Sequence, residues 1–339
     1  MNPRRFLRPL NLAVAGLVAL IVAAVVLVTS SSNEYLLVPD KAHPLAGLVT
    51  VPGAKPADPN GGIYYVDVFE RKASLLERLF PRLRKDSTLV QHNTLTPPGV
   101  TDQQRLKADQ LDMKLSQQVA TAVALHALGY PVSIRENGVR VALVYGQTHA
   151  AGKLRPGDVI VAADHKPVRS SVDLHAIIAR HSVGDVVAVT FVRNGVTRTM
   201  NIRTSADPFD AKRAIIGFQP QPALRLNIPF QIKFDLGDVG GPSAGLAFAL
   251  QILEERGRDV DHGYRVAATG VIAPDGSVGP IGGVKQKTIG ARQAHVDVFL
   301  VPAGDNYREA RKYAHGLRII PVKTFQQALR ALATLPPKS

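Results

Sequence analysis

The apolar pattern changes character along the chain. From Leu12 to Val28 the sequence reads LAVAGLVALIVAAVVLV without a charge, and with Thr29 to Ser31 the run reaches about 20 residues, enough for a helix to cross ~30 Å of hydrocarbon. Arg4, Arg5 and Arg8 precede it. The tendency of basic residues to stay cytoplasmic predicts a tail of residues 1–9 inside and a single-pass anchor over 10–31. Everything after Ser32 then lies on the outer face of the cell membrane. A cleaved secretory signal and a buried core helix are the rival readings. A signal core of ~7–15 residues is shorter than this run, and VTSSSN is an ambiguous cleavage site.

Beyond the anchor, short periodic segments take over. IYYVDVFE (63–70) alternates as a strand. ERKASLLERLFPRLRK (70–85) reads as a short amphipathic helix stopped by Pro81, with Leu75, Leu76, Leu79 and Phe80 on one face and a basic face open to solvent or anionic lipid. Thr101 and Gln104 form a capping box for a helix that carries Leu111, Leu115, Val119 and Val123 and ends at Gly129. A β-rich stretch follows: a strand over 139–145, a turn and strand over 153–168, a helix over 173–181, and a hairpin over 185–204 turning at Asn194-Gly195. The last 130 residues alternate, with strands over 230–239, 264–272, 296–302 and 317–323 and helices over 243–255, 284–295, 306–316 and 324–335. This pattern predicts an α+β multidomain protein. Its parts are a transmembrane helix, a β-containing region with a helix over 32–117, a β-rich unit over 118–205 and an α/β unit over 210–339.

Composition narrows the chemistry. The chain of 339 residues has no cysteine, which removes disulfide scaffolds, thiol catalysis, iron–sulfur clusters and Cys-ligated zinc. Its ten histidines show no H-E-x-x-H or comparable spacing, so neither a metal nor another cofactor is predicted. The net charge of +14 is spread thinly. With no arginine-rich run or finger spacing, no nucleic-acid partner is expected. GQTHAAGK (146–153) is a poor phosphate loop, because Leu154 stands where magnesium needs a hydroxyl, so no ATPase module is expected.

The chemistry concentrates at Gly240-Gly241-Pro242-Ser243-Ala244-Gly245, a strand-to-helix junction. A serine there sits where free backbone N–H groups and the positive end of the helix dipole stabilise an oxyanion, and the small neighbours Gly241 and Gly245 let a substrate backbone approach. The bland alternative is a serine that only caps the helix. The string also fits G-x-S-x-G, the nucleophile elbow of α/β-hydrolases, with Asp297 and His315 following in the expected chain order Ser, Asp, His of a Ser-His-Asp triad.

Two resemblances go further. Leu154-Arg155-Pro156-Gly157-Asp158-Val159-Ile160 with Asp164-His165-Lys166-Pro167-Val168 resembles a PDZ domain of the bacterial type, which implies capture of an extended peptide, unless the fold serves only as a spacer. Gly-Pro-Ser-Ala-Gly, Ala268-Thr269-Gly270 and Gly279-Pro280-Ile281-Gly282-Gly283-Val284-Lys285-Gln286-Lys287 closely resemble the proteolytic domain of Lon, the serine–lysine peptidase, over roughly residues 210–335. The whole arrangement resembles the membrane-anchored, Lon-like, PDZ-containing proteases of bacteria. The resemblance implies Ser243 as nucleophile, Lys287 as general base and Thr269 as a hydroxyl that orients them. Lys285 and Lys287 point about 200° apart on a helix, so only one faces the serine and Lys285 is expected to be solvated. Burial beside Ile281 and Val284 would lower the lysine pKa toward a working base. Two positions depart from the Lon pattern, where an acidic residue commonly stands: Gly240, three before the serine, and Val271 after Thr-Gly.

The function implied is an extracytoplasmic, membrane-anchored serine endopeptidase acting on unfolded or flexible protein segments, with peptide substrates selected by the PDZ module and a homo-oligomeric assembly. The alternative from another class is a non-catalytic, membrane-tethered peptide-binding scaffold.

Overall fold

The computed structural model describes residues 9–55, 61–97, 99–207 and 210–336. The three arginines of the expected tail lie outside the described residues. The apolar run forms α1 (Pro9–Thr29), with a mean hydropathy of 2.9 over its most apolar stretch, where no residue is fully buried. It is long and apolar enough to cross a membrane.

After one residue the chain enters β1 (Ser31–Pro39). The single strand expected over 63–70 is instead two, β2 (Gly62–Tyr65) and β3 (Val68–Ser74), and they belong to different sheets. β3 pairs antiparallel with β1, Leu37 opposite Glu70 and Leu36 opposite Arg71. That pairing holds residues 70–74 extended, so the helix expected over 70–85 shrinks to α2 (Leu75–Leu79) and a 3₁₀ turn at Pro81–Leu83. Ser74 caps α2, its hydroxyl accepting from the Glu77 N–H while the Glu77 carboxylate accepts from the Ser74 N–H. β4 (Thr88–Gln91) closes the other edge of β1. The capping box at Thr101 and Gln104 opens α3 (Asp102–Ala127), as its sequence predicts.

The β-rich unit contains β5 (Ser133–Val144), β6 (Val159–Ala163), α4 (Ser171–Ile178), β7 (Val186–Arg193), β8 (Val196–Arg203) and β9 (Phe218–Asn227), with sheet order β8-β7-β6-β5-β9. Asn194 and Gly195 both take positive φ, the geometry that lets a two-residue turn match the twist of β7 and β8. Val139, Val141, Ile160, Val189 and Phe191 fill one core. Asp158 gives the Leu-Arg-Pro-Gly-Asp string its physical role. It is buried, its carboxylate accepts from the Arg155 N–H at 2.8 Å, and Arg193 grips it through Nε and Nη2 at 2.7 Å each. β9 lies beyond the limit expected at residue 205 and returns along β5, Phe218 opposite Val144 and Asn227 opposite Ser133. The chain therefore leaves this unit beside the point where it came in.

The C-terminal part contains α5 (Gly245–Glu255), β10 (Arg265–Ala268), α6 (Val284–Gln293), β11 (Val298–Pro302), α7 (Asp305–Tyr313), β12 (Arg318–Val322) and α8 (Phe325–Ala333). β2, β10, β11 and β12 form a parallel sheet, with His43–Pro44 antiparallel at its edge. The strand expected over 230–239 is confined to Lys233–Phe234, which pair with Val49–Thr50; the glycine-rich sequence after it bends into the Ser243 turn. The region over 32–117 is not a unit of its own. Leu45 and Ile63 from it, Val119 from α3, and Phe248, Leu300 and Leu332 from the C-terminal half share one core. A strand buried on both sides of a parallel sheet needs helices on both faces: α5 packs on β2 and β10 from one side, with α3 stacked on α5, and α7 packs on β11 and β12 from the other.

Candidate active site

Ser243 lies in a turn two residues ahead of α5. The turn is pinned from two sides. Gly241 takes φ +84°, which a side chain disfavours, and its N–H donates to the Asp109 carbonyl of α3 at 2.8 Å. The Ser116 hydroxyl, also on α3, donates to the Pro242 carbonyl at 2.9 Å. From the other side the Ser243 carbonyl accepts from the Gly270 N–H at 2.8 Å and the Thr269 hydroxyl at 3.1 Å. A Cβ at Gly245 would lie 2.7 Å from Ser116 Oγ and 2.8 Å from Ile272 Cγ2, so only glycine lets α3, α5 and the loop after β10 close on the serine together. Ala244, not Ser243, is the N-cap of α5, and no side chain caps that helix. The serine hydroxyl is therefore free of the bland role. The backbone N–H groups of Ser243 and Ala244 find no acceptor among the described residues.

The hydroxyl meets Lys287, whose Nζ donates to Ser243 Oγ at 2.5 Å. Lys287 sits in the first turn of α6 and is 4% exposed. Burial pulls its pKa down from 10.5 to about 8, because a desolvated ammonium is disfavoured, while the Asp67 carboxylate pulls the other way. Lys285 does point away from the serine, but it is not simply solvated. Its amine donates to the carbonyls of Lys85 at 3.1 Å and Ser87 at 2.9 Å, and Gln286 donates to the Thr88 hydroxyl at 2.7 Å. These bonds dock α6 on the chain running into β4, a packing invisible to local helical geometry.

Asp67 is the residue that sequence reasoning missed. It lies in the gap between β2 and β3, just past the end of β2, as Thr269 lies just past the end of the neighbouring β10. Burial and the neighbouring Asp40 push its carboxyl up, while His43 and Lys287 oppose them. His43 Nε2 lies 3.4 Å from Asp40 and 3.9 Å from Asp67, and its ring stacks on Tyr65. Asp67 Oδ1 is buried without a hydrogen-bond partner. A signal for it existed: in IYYVDV the aspartate falls on the same alternating face as the buried Ile63 and Tyr65.

By proximity two groups among the described residues each offer three potential metal ligands, Asp40 with His43 and Asp67, and Glu254 with Asp259 and Asp261. Both are already engaged internally: His43 pairs with its two carboxylates, and Glu254 Oε1 accepts from the Val260 and Asp261 N–H groups. The Ser-His-Asp arrangement is not assembled. Asp297 accepts from the Arg265 N–H at the start of β10, whereas Thr269 follows its end, roughly 13 Å along the strand. His315 precedes β12 at that same far end of the parallel sheet.

Two family models match parts of the chain. The Lon protease (S16) C-terminal proteolytic domain matches residues 235–334, and the PDZ domain matches residues 126–204. The chain carries a Lon-type proteolytic domain and a PDZ domain. Lon protease 2 of Bacillus subtilis is 30% identical over 196 residues, which is 57% of this chain and 32% of that protein. Lon protease 2 of Thermus thermophilus is 35% identical over 104 residues, 27% of this chain and 13% of its own length. The serine protease Do-like HtrA of Lactobacillus helveticus is 39% identical over 69 residues, 20% of this chain and 17% of its own length. The chain thus spans about a third or less of each of these relatives. Among solved structures, the PDZ domain of an SdrC-like protein from Listeria monocytogenes is 27% identical, with a TM-score of 0.23, covering 25% of this chain and 87% of that one.

Proposed function

We propose that the protein is a membrane-anchored serine endopeptidase in which Ser243 and Lys287 form the catalytic dyad of the Lon-type domain. The contact between the buried Lys287 amine and the Ser243 hydroxyl carries this reading. A serine hydroxyl attacks a peptide carbonyl only when a base takes its proton, and a lysine with a pKa of about 8 supplies a neutral amine in a usable fraction near neutrality. In the neutral form the hydrogen bond reverses, Ser243 Oγ–H donating to Nζ. Attack forms the acyl-enzyme, Lys287 returns the proton to the departing amine, and a water activated by the same amine then hydrolyses the ester. The unspent N–H groups of Ser243 and Ala244, at the positive end of the α5 dipole, are the donors open to the developing oxyanion.

Thr269 and Gly270 fix the serine carbonyl, while Gly241 and Gly245 keep the turn close to α3. In the proposed organisation α1 holds the chain in the cell membrane with residues 1–9 cytoplasmic and the body outside. The PDZ domain, inserted between α3 and α5 on the β5–β9 pair, presents flexible peptide segments, and the Lon-type domain assembles as a homo-oligomer. A scaffold without activity has no use for a desolvated lysine against a serine hydroxyl, an arrangement that costs stability.

The deciding experiment reconstitutes the full chain in lipid bilayers with casein and compares wild type with Ser243→Ala, Lys287→Ala and His315→Ala. Cleavage lost in the first two and kept in the third is expected. Cleavage that persists in either dyad variant overturns the assignment.

A further inference from the structure

The Lon-type and PDZ domains leave one part of the surface unexplained. Leu79, Phe80 and Leu83 are 61%, 56% and 62% exposed within five residues of one another, and Arg78, Arg82, Arg84 and Lys85 surround them. Single exposed apolar residues are ordinary, but three adjacent ones ringed by cations are not. Their place in the fold is specific. The Leu75 N–H at the start of α2 donates to the Ser30 carbonyl, one residue past the end of α1, at 2.9 Å, and α2 packs against α1. Arg84 is held by Glu77, and Arg78 lies 3.7 Å from Glu34. Arg82 and Lys85 have no ion-pair partner among the described residues, and with Pro81, Arg84 and Ser87 they line an open cavity of about 360 Å³.

We propose that residues 78–85 form a second membrane contact, with Leu79, Phe80 and Leu83 inserted at the surface of the bilayer from which α1 emerges and Arg82 and Lys85 binding anionic lipid headgroups in the cavity between them. The proposal rests on the reading of α1 as a membrane anchor. The occupant is lipid because the patch is continuous with an apolar helix and its charge complements an anionic leaflet, near which each basic residue strengthens association about fivefold. The contact has a consequence for the catalytic domain. Lys285 on α6 holds the carbonyls of Lys85 and Ser87, so a docked loop fixes the helix that carries Lys287 at a set height above the lipid.

The chain contains no tryptophan, so one introduced indole reports on one place. Full-length chains with Leu20→Trp, Phe80→Trp or Phe69→Trp are reconstituted singly in nanodiscs of phosphatidylcholine with phosphatidylglycerol, with and without brominated acyl chains. Phe69 is as exposed as Phe80 but lies five residues up β3 from Ser74, roughly 17 Å from the anchor. Bromolipid is expected to quench Leu20→Trp and Phe80→Trp and to spare Phe69→Trp. Adding Arg82→Glu and Lys85→Glu to Phe80→Trp is expected to relieve most of that quenching. If Leu20→Trp is quenched and Phe80→Trp is not, the second contact is wrong and the anchor stands. If Leu20→Trp is spared, the anchor reading fails and takes this proposal with it. A Phe80→Trp emission that shifts with protein concentration and ignores bromolipid assigns the patch to a second copy of the chain and also overturns the proposal.

Discussion

The two folded units are built on opposite plans. The PDZ unit closes its core from one nearly continuous stretch, Val139 to Phe218. The proteolytic unit draws its core from residues as far apart as Leu45 and Leu335, and the PDZ unit is inserted in the middle of it. A contiguous core can loosen locally without disturbing its host. A core knit from distant segments holds its site rigidly, because α3, β10, α5 and α6 all converge on a turn of a few residues. Catalysis needs that rigidity, since a displacement of about 1 Å can cost a hundredfold in rate, whereas peptide capture tolerates a looser frame.

The sharpest way to separate the two units is to disable each alone. Ser243→Ala or Lys287→Ala is expected to lower turnover at least about 10⁴-fold, with hydrogen exchange in β5 to β9 unchanged. Asp158→Ala does the reverse. It leaves the Arg193 guanidinium without its buried carboxylate and is expected to destabilise the PDZ unit by about 3–5 kcal/mol. Cleavage of a short flexible peptide should then stay within twofold of wild type, while hydrogen exchange in β5 to β9 rises. Loss of short-peptide cleavage on this substitution would mean that the two cores are coupled.

A smaller effect tests whether the proteolytic unit gives up stability for its chemistry. In the unfolded chain Lys287 titrates near 10.5 and in the folded protein near 8. Below pH 8 both states are protonated, and the folded one bears the full penalty of the desolvated ammonium, about 3 kcal/mol. The penalty fades as pH rises from 8 to 10.5, because over that window the unfolded state binds the extra proton. Lys287→Met removes it. Less about 1 kcal/mol for the lost Ser243 bond, the inactive variant is expected to be more stable by about 2 kcal/mol at pH 7, read as a higher Tm, with the gap closing at pH 10.

The same contrast explains what the sequence made legible. The Asn194-Gly195 hairpin, the capping box at Thr101 and the PDZ string are local, and each lies where its residues predict. Ser243 and Lys287, which the fold brings into contact, were singled out because three short strings kept their order and spacing, so the resemblance to Lon reached across 44 residues that no periodicity connects. What failed was everything set by pairing partners. IYYVDVFE alternates without a break, and only the competition between β1 and β10 for its two halves splits it at Val66-Asp67. Residues 70–74 have a helical pattern, but β1 claims them. Lys285 has no mark of its docking on Lys85 and Ser87, about 200 residues upstream. The inclusion of residues 32–117 in the proteolytic core has the same cause, since a parallel strand is recognised by its neighbours and not by its own sequence.

The smallest expected effect concerns Asp67, the residue that sequence reasoning missed. Activity of the proposed dyad requires the neutral amine, so the rate of acylation should climb through a midpoint near pH 8 and level off above it. Asp67 favours the charged form of Lys287 and holds that midpoint higher than burial alone would set it. Asp67→Asn withdraws the attraction, leaving Lys287 to burial alone, so the midpoint moves to lower pH. Two consequences pull against each other. At pH 7 a larger fraction of the enzyme is active, giving a few-fold gain, while above pH 9 the weaker base lowers the plateau. Labelling of Ser243 by a fluorophosphonate, followed from pH 6 to 10, reads both, and a crossing of the two profiles is the signature of a charge acting on the lysine. A uniform drop at every pH would instead mean that Asp67 only supports the packing between β2 and β3.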